Sequence, residues 1–185
     1  MQNRGMPPMR KPARWCMLTS LFGGCKTRPV IGCIGRVLLL QHRMTDDEFV
    51  QQFESCSFPF EQWHHREHVK LAYLYLVRFG FADASRRLRE GIRAYNAANK
   101  VPDAPMRGYH ETLTLFWLRL IQMTVQEYGP RATADEFFEF HPQLGEKKIH
   151  RLFYSPELFM TPRVKSEFVE PDLTSLPRGR GADVP

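Results

Sequence analysis

The sequence predicts an all-α protein, a single compact bundle of five or six helices, on three observations. Beyond residue 43, Val, Ile and Thr are sparse while Leu, Ala, Glu, Arg and Phe are frequent, a composition that favours helix over strand. No strict alternation of apolar and polar residues runs for five positions there, so the pattern of a half-buried strand is missing. Several segments instead repeat apolar residues every three to four positions, the period of an amphipathic helix.

The first three predicted helices span about 45–55, 62–79 and 82–98. Thr45 and Glu48 form a capping box at the first start, because each can satisfy a backbone N–H of the other. Gly80 ends the second helix. The third carries a row of arginines that we interpret as a solvated face or, in a binding module, as a partner surface: Arg86, Arg87, Arg89 and Arg93.

The remaining predicted helices span about 109–128, 133–141 and 146–154, and two further turns start with Pro156 and Pro162. The fourth helix is the most apolar segment, so we expect it at the centre of the core. Thr133 and Glu136 form the next capping box, ahead of three phenylalanines that we expect to be buried, Phe137, Phe138 and Phe140. The loop over 99–108 is longer than most helix connections, which makes it a candidate gate.

Charge divides the 185 residues into a leader, a body and a tail. Residues 1–43 hold eight of the 26 Lys and Arg residues and no acid, and the remainder holds 18 against 20 Asp and Glu, a net charge of −2. The pI of about 9.3 therefore comes from the leader, and we expect no nucleic-acid face on the folded part. We predict a disordered basic leader over 1–43, a helical domain over 44–177 and a disordered tail over 178–185.

The leader has two interpretations. Its basic residues and the interrupted apolar stretch over 15–25 are similar to a weak targeting peptide. The alternative, which we favour, is an extension of the gene model ahead of a true start at Met44. Beyond the leader there is one cysteine, Cys56, and the chain has no apolar run long enough to span a bilayer. We therefore predict a reduced, cytoplasmic protein without a membrane segment.

Two histidines of the second predicted helix point toward the interior. Successive helical residues turn by roughly 100°, so Arg66 and Lys70 lie close together and mark the solvent side. His65 and His68 then fall on the buried half of the helix. Buried histidine is costly unless it is hydrogen-bonded or ligated, so both side chains are candidates for function.

A third inward histidine begins the fourth predicted helix. Thr112, Arg119 and Gln126 share a stripe with a spacing of seven, which we expect to face water. His110 then points inward, in the first turn after the long loop. Glu111 follows it directly, so an imidazole and a carboxylate leave the loop side by side.

The three histidines, His65, His68 and His110, are therefore the candidate metal ligands. A pair at i, i+3 can chelate one ion from a single helical face, and three protein ligands with one open position are typical of catalytic metal sites. Glu111 is a candidate fourth ligand or general base, and Tyr109 a supporting donor. Histidine with carboxylate suits zinc, iron or manganese, and the substrate would be a small molecule.

Other interpretations of these residues stay open. In a metal-free site, His68 or His110 acts as general base, Glu111 orients it and Tyr109 donates a hydrogen bond. In a non-catalytic binding module, the same histidines form a structural hydrogen-bond network. His110 and Glu111 also suit a helix N-terminus for local reasons alone. No glycine-rich phosphate loop is present in the sequence, so we predict no nucleotide cofactor.

Five blocks of sequence resemble a widespread bacterial family of small uncharacterised helical proteins. The blocks are Trp63-x-His65-x-x-His68-Val69, Arg93-Ala94-Tyr95-Asn96, Gly108-Tyr109-His110-Glu111-Thr112-Leu113-Thr114, Tyr154-Ser155-Pro156-Glu157 and Glu170-Pro171-Asp172-Leu173. The resemblance covers about residues 53–177 and supports a start at Met44. It implies that the first and third blocks are the family signature, and it implies no activity. His64 departs from the small residue expected there, so His65 is the matching histidine.

Overall fold

The structure, a computed structural model, describes residues 44–104 and 107–176, so the predicted leader and tail lie outside the described residues. The described residues form six α-helices and three 3₁₀ turns and contain no β-strand, which confirms the all-α prediction. The helices are α1 (Asp46–Glu54), α2 (His65–Ala98), α3 (Glu111–Tyr128), α4 (Ala134–Phe140), α5 (Pro156–Phe159) and α6 (Pro162–Ser166); the turns are Phe60–Gln62, Pro142–Gly145 and Ile149–Leu152. None of these helices is long and apolar enough to cross a membrane.

Two predicted N-caps, Thr45 and Thr133, are confirmed by their hydrogen bonds. At α1, the Glu48 N–H donates to Thr45 Oγ1 at 3.2 Å, and the Thr45 N–H donates to Glu48 Oε2 at 2.8 Å. At α4, the Glu136 N–H donates to Thr133 Oγ1 at 3.1 Å. Each cap satisfies an N–H group that the helix itself leaves unpaired. The predicted helix over 146–154 is wrong in extent, since that stretch holds only the 3₁₀ turn Ile149–Leu152.

Helix α2 joins the two segments that the sequence separates at Gly80. The backbone does leave helical geometry there, with φ 74° and ψ 174°, a conformation that favours glycine. The chain then resumes as a helix up to Ala98, so the predicted end of the second helix at Gly80 is confirmed as a kink between two helical segments of α2. This long element packs against α1, α3 and α4 and provides one wall of the core.

An aromatic cluster closes one end of the core. The Phe53 ring stacks on Trp63 at 4.9 Å and on Tyr95 at 5.4 Å, centroid to centroid. The Tyr95 hydroxyl donates to the Phe58 carbonyl at 2.8 Å, so the buried ring keeps its polar tip satisfied. Gly91 makes room for this packing, because a Cβ atom there would lie 2.8 Å from the Phe53 ring.

Three expectations about exposure are wrong. Thr112 is fully buried, because its hydroxyl donates to the Glu167 carbonyl at 2.7 Å and accepts from the Val169 N–H at 3.1 Å. Lys70 is buried because its Nζ lies 3.0 Å from Asp46 Oδ1, an ion pair between α1 and α2. Phe140, expected in the core, is 63% exposed at the last position of α4.

Candidate functional site

A cavity of about 280 Å³ opens between α2 and the start of α3. We call it the imidazole cavity, because its lining includes the three predicted histidines, His65, His68 and His110. Tyr109 and Thr114 also contribute polar groups to the lining. Aromatic and aliphatic side chains form the rest of the walls, chiefly Trp63, Trp117, Leu88, Ile92 and Leu113. The exposed His64 also lies at its edge. The structure therefore brings the three predicted histidines to one space, which is at the lower end of the usual ligand-pocket size.

His68 is the least satisfied of these side chains. Its ring packs at 4.3 Å from Trp63, and the side chain is half-buried, with part of its surface facing the cavity. Within the described residues it makes no hydrogen bond. Burial lowers the pKa of the imidazole to about 4, and the neighbouring His65 adds to the shift. The ring is therefore neutral at pH 7 and has one N–H and one lone pair that no described residue engages.

The His65 ring is fixed by Leu144, a residue that does not line the cavity. Its Nε2 lies 3.0 Å from the Leu144 carbonyl, and because a carbonyl only accepts, the imidazole must donate there. Its Nδ1 then carries the free lone pair. The ring also packs on Trp117 at 4.4 Å, which fixes its plane. Burial is the main cause of its lowered pKa.

His110 is the N-cap of α3. This is the helix-capping role that the sequence leaves open for it. The Leu113 N–H donates to His110 Nδ1 at 3.1 Å, so the proton of the neutral ring is on Nε2. The ring stacks on Phe159 at 5.1 Å. Burial lowers its pKa to about 4, with smaller effects from Lys165 and His150. His110 therefore presents a hydrogen-bond donor where a metal ligand would need a lone pair.

Glu111 is buried in an ion pair and does not line the cavity. The Arg89 Nε donates to its two carboxylate oxygens at 3.1 and 3.0 Å, and the Tyr109 hydroxyl donates to Oε2 at 2.7 Å. Burial alone would raise the pKa of this carboxyl, but the hydrogen bonds from Arg89 and Tyr109 outweigh it and the pKa is lowered. The carboxylate is thus fully engaged, and its effect on the cavity is to fix the Tyr109 side chain.

No three or more His, Cys, Asp or Glu side chains of the described residues are placed to hold an ion, so the structure gives no support to the predicted three-histidine metal group. The hydrogen bonds give the physical reason: His110 Nδ1 accepts the cap bond, and Arg89 holds Glu111. His65 and His68 still face the same cavity with one unused lone pair each, so a metal bound by this pair stays a prediction.

Sequence reasoning missed the role of Arg89, which it assigned to a solvated face. Arg89 and Glu111 are 22 residues apart on different helices, so no local pattern connects them. The available signal was the spacing of Arg89 and Arg93, which places both on one side of α2.

The comparisons with known proteins name no relative: no family model, no curated protein and no solved structure matches this chain.

Proposed function

We propose that the protein binds a small molecule in the imidazole cavity, with an uncharged donor group of the ligand hydrogen-bonded to His68. The observation that carries the proposal is the unpaired neutral imidazole of His68 facing a cavity with aromatic walls. An unsatisfied polar group at such a position costs free energy until a ligand or water pairs with it. The cavity lining includes no Asp, Glu, Lys or Arg among the described residues, so a buried ligand charge would lose its hydration without compensation.

The same pKa values favour binding over acid–base catalysis. An imidazole with a pKa of about 4 is not protonated to imidazolium at pH 7, so it is a poor general acid and a weak base toward a substrate. As a hydrogen-bond acceptor it is fully available. His110 complements it, because its Nε2–H is a donor on the α3 side of the cavity. The pair suits a ligand with one donor and one acceptor on a ring or short chain.

Matched ring compounds test this proposal. We expect indole to bind the full-length protein about tenfold more tightly than 1-methylindole, because the methyl group removes the N–H that would pair with His68. In His68→Phe, which keeps an aromatic ring beside Trp63, the two compounds should bind equally. Affinities can be measured by ligand-observed NMR.

His141→Phe is the matched control. His141 is also buried, and its Nε2 has no partner, but it does not line the imidazole cavity. This substitution should leave the preference for indole intact. Equal affinity of the wild type for indole and 1-methylindole would overturn the assignment of His68.

A metal-dependent enzyme acting on a small molecule is the second candidate, favoured by the hydrogen bond of His65. A ligating histidine usually donates its other ring N–H to a carbonyl or carboxylate, as His65 does to Leu144. The lowered pKa values of His65 and His68 also reduce competition from protons at pH 7. Zinc, iron or manganese would take two protein ligands here, with water or substrate completing the coordination sphere.

Metal content separates the two candidates. Elemental mass spectrometry of protein purified without a histidine tag, beside a His65→Ala/His68→Ala variant, gives the test. Near-stoichiometric metal that disappears in the variant would support the second candidate. Absence of metal from a folded wild type, also after reconstitution with each of the three ions, would exclude it and leave the first.

A further inference from the structure

A second space lies on the other side of the loop that ends at α3. This groove of about 510 Å³ shares two lining residues, Gly108 and Tyr109, with the imidazole cavity. Polar side chains from α2 and α6 line it, including Arg93, Asn96 and Lys165. We call it the Arg93 groove. A ligand that lies along Gly108 and Tyr109 would contact both spaces at once.

The charges in this groove leave one cation without a strong partner. Lys165 is engaged, because its Nζ donates to the Asp103 carboxylate and, at 2.6 Å, to the Ala104 carbonyl. Glu111 is also engaged, by Arg89 and Tyr109. Arg93 Nη2 therefore stays 3.9 Å from Glu111 Oε2, beyond hydrogen-bond distance.

Arg93 is nevertheless held in place. Its guanidinium lies 4.5 Å from the centre of the Tyr109 ring, and the Tyr109 hydroxyl is fixed by Glu111. A guanidinium over an aromatic face keeps its N–H groups free at the edge. Those donors match a planar carboxylate, which takes two parallel hydrogen bonds from one guanidinium.

We infer that the ligand of this protein is a ring compound with an anionic carboxylate, the ring entering the imidazole cavity and the carboxylate binding Arg93. The inference rests on the proposed function, since it extends the ligand from His68 into the adjacent groove. This arrangement does not bury a ligand charge in the imidazole cavity, because the carboxylate lies in the Arg93 groove and only the uncharged ring enters the cavity.

Acid and amide pairs test the inference. The probes are indole-3-acetate and indole-3-acetamide, which share a ring and differ in charge. We expect the acid to bind wild-type protein about tenfold more tightly than the amide, a typical gain for a charged hydrogen bond. Arg93→Gln should remove this preference, while the affinity for the amide stays within twofold. The preference should also fall with rising salt.

Arg86→Gln is the matched control, because Arg86 is on the same helix with the same exposure, 53% against 54% for Arg93. It should leave the acid preference unchanged. An equal loss in both variants would show general attraction to a basic surface and overturn the inference. So would equal binding of acid and amide by the wild type.

The two proposals fail differently. In one outcome, indole-3-acetamide binds, His68→Phe lowers its affinity, and indole-3-acetate binds no more tightly than the amide. The cavity proposal then stands and the carboxylate inference is wrong. If indole and both of its derivatives fail to bind, or bind without any effect of His68→Phe, the cavity proposal is overturned and the inference with it.

Discussion

Two histidines of this protein share a lowered imidazole pKa and have different surroundings. His68 faces the imidazole cavity, whereas His141, at the end of α4, is enclosed by the rings of Tyr128 at 5.1 Å and Phe137 at 4.8 Å. Both have a lowered pKa, caused first by burial. The His141 Nε2 is buried without a partner, and no described residue is hydrogen-bonded to the His68 ring. The comparison teaches that an unpaired imidazole is not by itself a site. A cavity beside it, and a framework that keeps the cavity open, make the difference.

That framework is ionic on the His68 side and aromatic on the His141 side. Near the cavity, Arg89 and Glu111 join α2 to α3 and fix Tyr109. Around His141, packing is completed by the Tyr128 and Phe137 rings, and the Arg131 guanidinium lies over Phe140. Substitutions in the ionic framework should therefore change the free energy of unfolding more than substitutions in the aromatic one.

The largest effect is expected for Glu111→Ala. Loss of the buried carboxylate leaves Arg89 and the Tyr109 hydroxyl without their partner, and breaking such a pair costs about 3 kcal/mol of unfolding free energy. Urea unfolding followed by circular dichroism measures it. The control is Glu139→Ala on the exposed side of α4, expected to change stability by less than about 0.5 kcal/mol. Comparable losses in the two variants would contradict the ionic framework.

Acidification gives the next effect. The pKa of the His68 imidazole is about 4 in the folded protein and 6.5 as its ordinary value, so the unfolded chain binds the proton more readily. Stability should be full above about pH 6.5 and fall as the pH drops toward 4. His110, with the same folded pKa, contributes with the same sign.

His68→Phe should make this pH dependence shallower between pH 4 and 6.5. The measurement is the free energy of unfolding at half-unit pH steps, for wild type and variant. A bound ring compound that pairs only with neutral His68 should make the free energy of unfolding of the wild type depend more steeply on pH, because protonation of His68 would then also cost the ligand contact. His141→Phe changes the pH dependence without changing the ligand effect. A wild-type slope that His68→Phe leaves unaltered would contradict the buried neutral state.

A smaller effect is expected for Tyr109→Phe. The variant loses the hydroxyl that donates to Glu111 at 2.7 Å, but it keeps the ring under Arg93. Arg89 still satisfies the carboxylate, so we expect a loss of about 1 kcal/mol in thermal or urea unfolding. No loss would show that Arg89 alone fixes Glu111.

The smallest effect is expected for Phe140→Ser. The ring is 63% exposed, and its main contact is the Arg131 guanidinium at 4.1 Å from the ring centre. An exposed cation–π contact contributes about 0.5 kcal/mol, so stability should change by no more than that. A change above about 2 kcal/mol would mean that Phe140 is part of the core around His141.

The candidate site was partly predictable from the sequence. The angular positions of His65, His68 and His110 depend on helix geometry, and all three do line one cavity. Their hydrogen bonds were not predictable. The partner of His65 is the Leu144 carbonyl, 79 residues away, and its position depends on how the Pro142–Gly145 turn packs against α2.

Sequence by itself determined the helices of this protein and most of their limits, because capping boxes, glycine stops and apolar periodicity act within a few residues. The tertiary structure decided which faces are covered and which charges meet. Thr112 is buried because the segment around Glu167 and Val169, 55 to 57 residues away, covers that side of α3. Lys70 and Glu111 are buried because each has an oppositely charged partner on another helix. Such pairings compensate the cost of burying charge, and they exist only once the helices have packed.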